Sequence, residues 1–326
     1  MLERLIPISA DGFRGITLTA IMGKFVREDI NTSTEFGSIN PRPIFENGIR
    51  PVLKRRRIPT GGSAPLNVAK NAKAIDESWA ENKKPESAAL AAVEYIRRIN
   101  RHWNDDAFRD DLILMFLKRL LDYADAVAAE DVQLVPLDGI APIIVAQKLA
   151  DFSLRYPEGG SLPQFVAAAL IAAARSTDTV YRMVEGVDVS VFGTNATSNK
   201  PADVWEVLVD ETLGNLYEVT CKRVDMERLD AAVESFAKLG FPNRPITFIC
   251  RMPQDIESLH LTDRAIIHRG VTFQFTDFSA FVEVLFLMLT PIKQNTLMER
   301  VALFVADPSR KISTKRAWGL AFGAAR

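Results

Sequence analysis

Asp203, Glu218 and Lys222 are the residues of this chain whose types and spacing could do chemistry together. Asp203 opens an apolar run, residues 204–209. Glu218 and Lys222 lie in the next run, residues 216–222, and residues 210–215, with Gly214 and Asn215, supply a hairpin turn. Read as a β-strand, residues 216–222 alternate faces, so Glu218, Thr220 and Lys222 project to one side and Val219 and Cys221 to the other. Pairing the two strands brings two carboxylates and an ammonium to one sheet edge. That set suits a hard divalent cation, a phosphate and a water nucleophile, the components of metal-assisted phosphodiester hydrolysis. The plain alternative is a surface strand pair carrying ordinary salt bridges. Against it, the charges sit among Val, Leu and Trp, where an unpaired charge is costly unless it serves a partner or a metal.

The elements that must position these residues follow from periodicity. Residues 12–26, 87–100, 105–129 and 140–156 carry apolar side chains at helical spacing, and residues 45–57 read as a short basic helix. Gly159-Gly160-Ser161 is the best internal boundary, followed by an alanine-rich helix at 162–176. Strand-like runs come next at 187–192, 204–209, 216–222, 246–251 and 271–275, with a helix at 226–239 and later helices at 278–289 and 295–305. The order predicts an α/β fold: a mixed sheet flanked by helices over residues 159–326, and a mainly helical region over residues 1–158.

A chain of 326 residues, 48% hydrophobic, can bury a sizeable core, and its net charge of -1 names no class of partner. Locally, Arg50, Lys54, Arg55, Arg56 and Arg57 form a basic cluster that reads either as a solvated face or as a phosphate-contacting patch. Asn195, Ser198, Asn199 and Lys200 precede Asp203 and read either as an ordinary loop or as an approach to a phosphate backbone. The two cysteines, Cys221 and Cys250, form no disulfide framework, the first residues have no signal-peptide pattern, and the most apolar segment, 278–289, is too short to span a bilayer. A cytoplasmic protein without a membrane span is expected. His102, His260 and His268 have no metal-ligand spacing.

An acid opening one strand, with an acid and a lysine on the next, resembles the PD-(D/E)XK nuclease superfamily. More widely, residues 40–49 (NPRPIFENGI), 58–59 (IP), 61–63 (GGS), 65–71 (PLNVAKN), 218–222 (EVTCK) and 247–253 (TFICRMP) with Asp255-Ile256 resemble type II restriction endonucleases of the SacI family. The resemblance implies a restriction-endonuclease-like core and magnesium-dependent, sequence-specific cleavage of double-stranded DNA. It also implies a homodimer on a palindromic site and a companion methyltransferase. It makes Asp203 and Glu218 the Mg2+ ligands, the Cys221 carbonyl a further ligand, and Lys222 the residue that positions water and offsets charge. In the nuclease reading Arg42, Lys54, Arg55, Arg56, Arg57, Asn195, Ser198, Asn199 and Lys200 contact DNA. The second acid of the superfamily stands two residues before the lysine, where this chain has Thr220. Either Glu218 reaches the metal from four residues away, or another acid supplies the ligand. Glu185 is the reserve, and Glu206 is less suited because alternation turns it away from Asp203. Two alternatives stay open: a structure-selective repair or recombination nuclease, and a non-catalytic DNA-binding protein on the same fold.

Overall fold

The computed structural model describes all residues except 8–9, 61–66, 71, 82, 131, 134–136, 138, 187–199, 239–243, 262, 309 and 324–326. The chain divides into two compact units, Met1–Asp131 with Asp307–Lys315, and Val132–Ala306 with Arg316–Arg326.

The first unit is helical. Its central helix, α1 (Asp11–Val26), is buried almost all round. It tolerates this because its polar groups are satisfied: Arg14 pairs with Asp11 at 2.9 Å and donates to the Ile6 carbonyl at 2.6 Å, while Thr17 and Thr19 donate to carbonyls one turn back. Residues 41–55 run as continuous helical turns, the last being α2 (Arg50–Arg55). Two longer helices follow, α3 (Glu86–Arg101) and α4 (Asp106–Ala129). Asp105 caps α4 by accepting from the Phe108 amide at 3.1 Å. Tyr95 joins the two, donating to the Leu112 carbonyl at 2.5 Å.

The second unit is a six-stranded mixed sheet between helices. Helices α5 (Pro142–Arg155) and α6 (Ser161–Arg175) lead into β1 (Tyr181–Glu185), β2 (Val204–Leu208) and β3 (Leu213–Val219). Helix α7 (Met226–Lys238) connects to β4 (Ile246–Cys250). Then come β5 (Ala265–His268), β6 (Val271–Asp277), α8 (Phe278–Met288), α9 (Pro291–Ala306) and, from Arg316 on, the greater part of α10 (Ile312–Phe322). The strand order is β1-β2-β3-β4-β6-β5, with β3, β4 and β6 mutually parallel and the other pairs antiparallel. The α/β class and the helical first part agree with the sequence reading.

Strand alternation sorts the core into two layers. Val204, Val219 and Ile249 face α5, α6, α8 and α9, sharing a core with Leu149, Val166, Phe286 and Val301. Leu216, Phe248, Phe273 and Phe275 face the other way, onto Leu229 and Val233 of α7. Two expectations change. The boundary at Gly159 falls inside the second unit, because Val145, Leu149 and Phe152 of α5 are part of the sheet's own core. And β3 ends at Val219, not at residue 222. The Thr220 hydroxyl accepts the Lys222 amide at 3.0 Å, a local turn that competes with the ladder and bends the chain away. The expected strand at 187–192 lies outside the described residues.

Candidate functional site

The site is built where antiparallel β2 begins beside the end of β3. Val204 pairs with Tyr217, so Asp203, one residue before β2, sits next to the last residues of β3. Its Oδ2 accepts the Val219 amide at 3.1 Å, a side chain completing the ladder where the strands part. The Asp203 backbone is pinned as well. Gln164 of α6, buried in an otherwise apolar helix face, donates from Nε2 to the Asp203 carbonyl at 3.0 Å and to the Gly186 carbonyl at 3.1 Å. Gly186 has φ 96°, and a Cβ there would fall 2.2 Å from the Asp203 carbonyl oxygen, so only glycine admits this approach.

Glu218 belongs to the set of β3 residues that includes Leu216, on the α7 face of the sheet, and it is buried. Its carboxyl lies close enough to that of Asp203 to act directly on its ionisation. Two buried carboxyls this close favour a proton on one of them, or a cation in its place. Burial raises the Asp203 pKa above the ordinary carboxylate value. The Val219 amide, the Arg228 guanidinium, Glu218 and Lys200 act in the opposite direction. Arg228 stands in the first turn of α7, which Asp225 caps by accepting its amide at 3.1 Å, and its guanidinium lies over the Phe248 ring.

The lysine the structure brings to these carboxylates is Lys200. It is buried, and burial lowers its pKa, while Asp203 and Glu218 both strengthen its hold on its proton. Lys222, expected in the row with Glu218, is exposed in the turn after β3. The period-two row that was to align them stops where the Thr220 turn begins.

The Cys221 carbonyl accepts Arg251 Nη2 at 2.5 Å, and Arg251 is itself held by Asp255, Nη2 to Oδ1 at 2.7 Å. The carbonyl expected as a further metal ligand therefore has one lone pair taken by a guanidinium, with that positive charge beside it. Burial pushes the Cys250 thiol up to about 12 and raises Cys221 too, so neither sulfur is a nucleophile near neutral pH.

Glu206 is fully buried and occupied elsewhere. It accepts from Arg175 Nε at 3.0 Å, Tyr217 Oη at 3.2 Å, and Asn215 through its amide at 3.1 Å and its Nδ2 at 2.8 Å. Glu185 ends β1 opposite Trp205, and no described contact ties it to Asp203 or Glu218.

Of the expected DNA-contacting residues, Asn195, Ser198 and Asn199 lie outside the described residues. In the first unit Lys54, Arg55, Arg56 and Arg57 are exposed at the end of α2, and Arg42 is exposed one turn before Glu46, 3.9 Å from it. Gln164, Gly186 and Arg228 are participants that the sequence reading missed. A lone glutamine in the run SLPQFVAAALIAAA was the available signal for the first.

Among the described residues no group of three or more His, Cys, Asp or Glu is placed to hold a metal ion. Asp203 and Glu218 form a pair, which matches how Mg2+ is held when one or two carboxylates share it with water and phosphate oxygens. No helix among the described residues is long and apolar enough to cross a membrane. No protein-family model matches the chain, and no curated protein matches it.

Proposed function

We propose that the chain is a magnesium-dependent endonuclease for double-stranded DNA, of the type II restriction kind that its sequence resembles. One observation carries the reading: strand pairing and the Val219 amide set Asp203 beside the end of β3, where Glu218 and Lys200 are buried, and Lys200 and Arg228 both act on the Asp203 charge. Burying two acids that close together costs stability unless a ligand draws on them. In this reading they hold one Mg2+, whose charge, when it is bound, stabilises negative charge developing on the scissile phosphate.

The protein's own groups do the rest. The Val219 amide and Gln164 fix Asp203 from both ends, so its carboxylate need not reorganise when substrate arrives. Lys200 supplies the fixed positive charge next to the pair, the role the sequence resemblance gave to Lys222. Lys222, exposed at the rim, is left as a contact to the DNA backbone. Arg228 offsets charge on Asp203 from the α7 side. The basic end of α2 offers phosphate contacts in the first unit. A palindromic site implies a twofold complex.

A second reading rests on the same cluster. The carboxylates already face Lys200 and Arg228, so their charge is partly balanced within the protein, as in a DNA-binding protein that keeps a nuclease fold without cutting. Incubating phage DNA with the protein, with and without Mg2+, separates the readings. Discrete fragments only with Mg2+ support restriction cleavage, and cutting confined to branched or damaged DNA supports a repair nuclease. Mg2+-independent binding without cutting supports the non-catalytic protein.

A further inference from the structure

Helix α4 (Asp106–Ala129) buries Leu112, Phe116, Leu120, Ala124 and Val127 on one face. Its other side is apolar too: Leu114, Met115, Leu117 and Leu121 are exposed by 63%, 53%, 41% and 47%. A single exposed leucine is ordinary, but four such residues within two turns make a continuous patch. The charges around the patch are ordered. Asp111 lies before it and Lys118 within it, seven residues apart, which sets them on the same strip of the helix. At 1.5 Å per residue they are about 10 Å apart, too far to pair with each other in one helix. The ion pairs of this helix join Arg109 to Asp106 and Asp110, and among the described residues Asp111 and Lys118 form none.

Asp111 and Lys118 are equidistant from the point between Leu114 and Met115. A twofold axis at that point, crossing two antiparallel copies of α4, therefore sets Asp111 of each copy beside Lys118 of the other. The same operation packs Leu114 and Met115 against their own counterparts. We propose that this face of α4 is a contact between two copies of this chain, held by that apolar patch and the two reciprocal Asp111–Lys118 pairs. The charge order favours a second copy over other occupants. Asp110, Asp111, Asp122 and Asp125 are all exposed on this helix and would repel a nucleic acid or an anionic membrane. The inference stands on α4 alone and does not depend on the nuclease reading.

Sedimentation velocity on the full chain over a concentration series tests it without any DNA. The wild type should form a dimer. Asp111→Lys and Lys118→Asp should each weaken self-association at least about 10-fold, since each sets like charges opposite one another. Mixing these two variants should restore a dimer containing one of each, and the combined variant Asp111→Lys/Lys118→Asp should dimerise by itself. This recovery also shows that the single changes did not act by unfolding. A monomeric wild type, single variants that associate as tightly as wild type, or a mixture that stays monomeric would overturn the proposal.

Discussion

Replacing Glu206 by alanine should lower the stability of the sheet unit without touching the site's chemistry. The carboxylate has no exposed surface and accepts four hydrogen bonds, two on each oxygen. Alanine removes all four acceptor contacts. Arg175 is 35% exposed and the Asn215 side chain is exposed, so water can take over those two donors. The Tyr217 hydroxyl and the Asn215 amide are partly buried and recover less. Two donors left short of partners at about 1–3 kcal/mol each, with the lost charge pair to Arg175, give about 3–5 kcal/mol. In a domain of this size that is a fall in Tm of about 6–20 °C. Glu206→Gln keeps the shape and one acceptor oxygen and should cost about 1–2 kcal/mol. Urea unfolding followed by far-ultraviolet circular dichroism measures both. If the alanine variant unfolds within about 0.5 kcal/mol of wild type, the network is not structural and the buried acid must be reassigned to the site.

Three further outcomes follow from the site's geometry. Gly186→Ala would drive a methyl into the Asp203 carbonyl oxygen and strain a left-handed residue; it should cost more than about 2 kcal/mol and reduce any DNA cleavage, read by thermal melting and a cleavage assay. Lys200→Met should lower the cleavage rate at least about 100-fold and Lys222→Met much less; equal losses would return the central role to Lys222. The Asp203 pKa is raised, so its carboxyl keeps its proton to a higher pH in the folded protein than in the unfolded chain. The stability this contributes is present at low pH and lost as pH rises through the folded pKa. Without Mg2+ the protein should therefore lose stability above the ordinary carboxylate value of about 3.9, and Mg2+ should raise Tm increasingly over the same interval. A Mg2+ effect that does not change with pH would contradict the assignment of Asp203.

Helices were the most legible part of this chain because their apolar spacing persists over several turns: Asp106–Ala129 and Glu86–Arg101 match the predicted segments to within a residue or so. Strands at Val204–Leu208 and Ile246–Cys250 were equally plain. Edge elements were not. β1 (YRMVE) and β5 (AIIH) are short and half-exposed, so the alternation that marks a strand is weak in both. The hairpin turn also moved earlier than Gly214-Asn215 suggested. Asp210 accepts from the Thr212 amide and hydroxyl and Glu211 takes a positive φ, while Gly214 lies inside β3, packed against Glu206. Asp203 and Glu218 were readable as a pair because strand pairing alone brings them together. Which lysine joins them was not, since that depends on the Thr220 hydroxyl ending β3 and on the non-strand residues 200–203 that hold Lys200 just before β2. Neither is a periodic feature.

In the proposed function Asp203 and Glu218 together serve phosphodiester cleavage. The most direct measurement of this role is cleavage of phage DNA by wild type, Asp203→Asn and Glu218→Gln in Mg2+, with DNA binding measured in parallel by gel shift. Wild type should give discrete Mg2+-dependent fragments, either variant should cut at least about 100-fold more slowly, and both should retain DNA binding. Wild-type protein that binds DNA but leaves it intact in Mg2+, or variants that cut as fast as wild type, would contradict it.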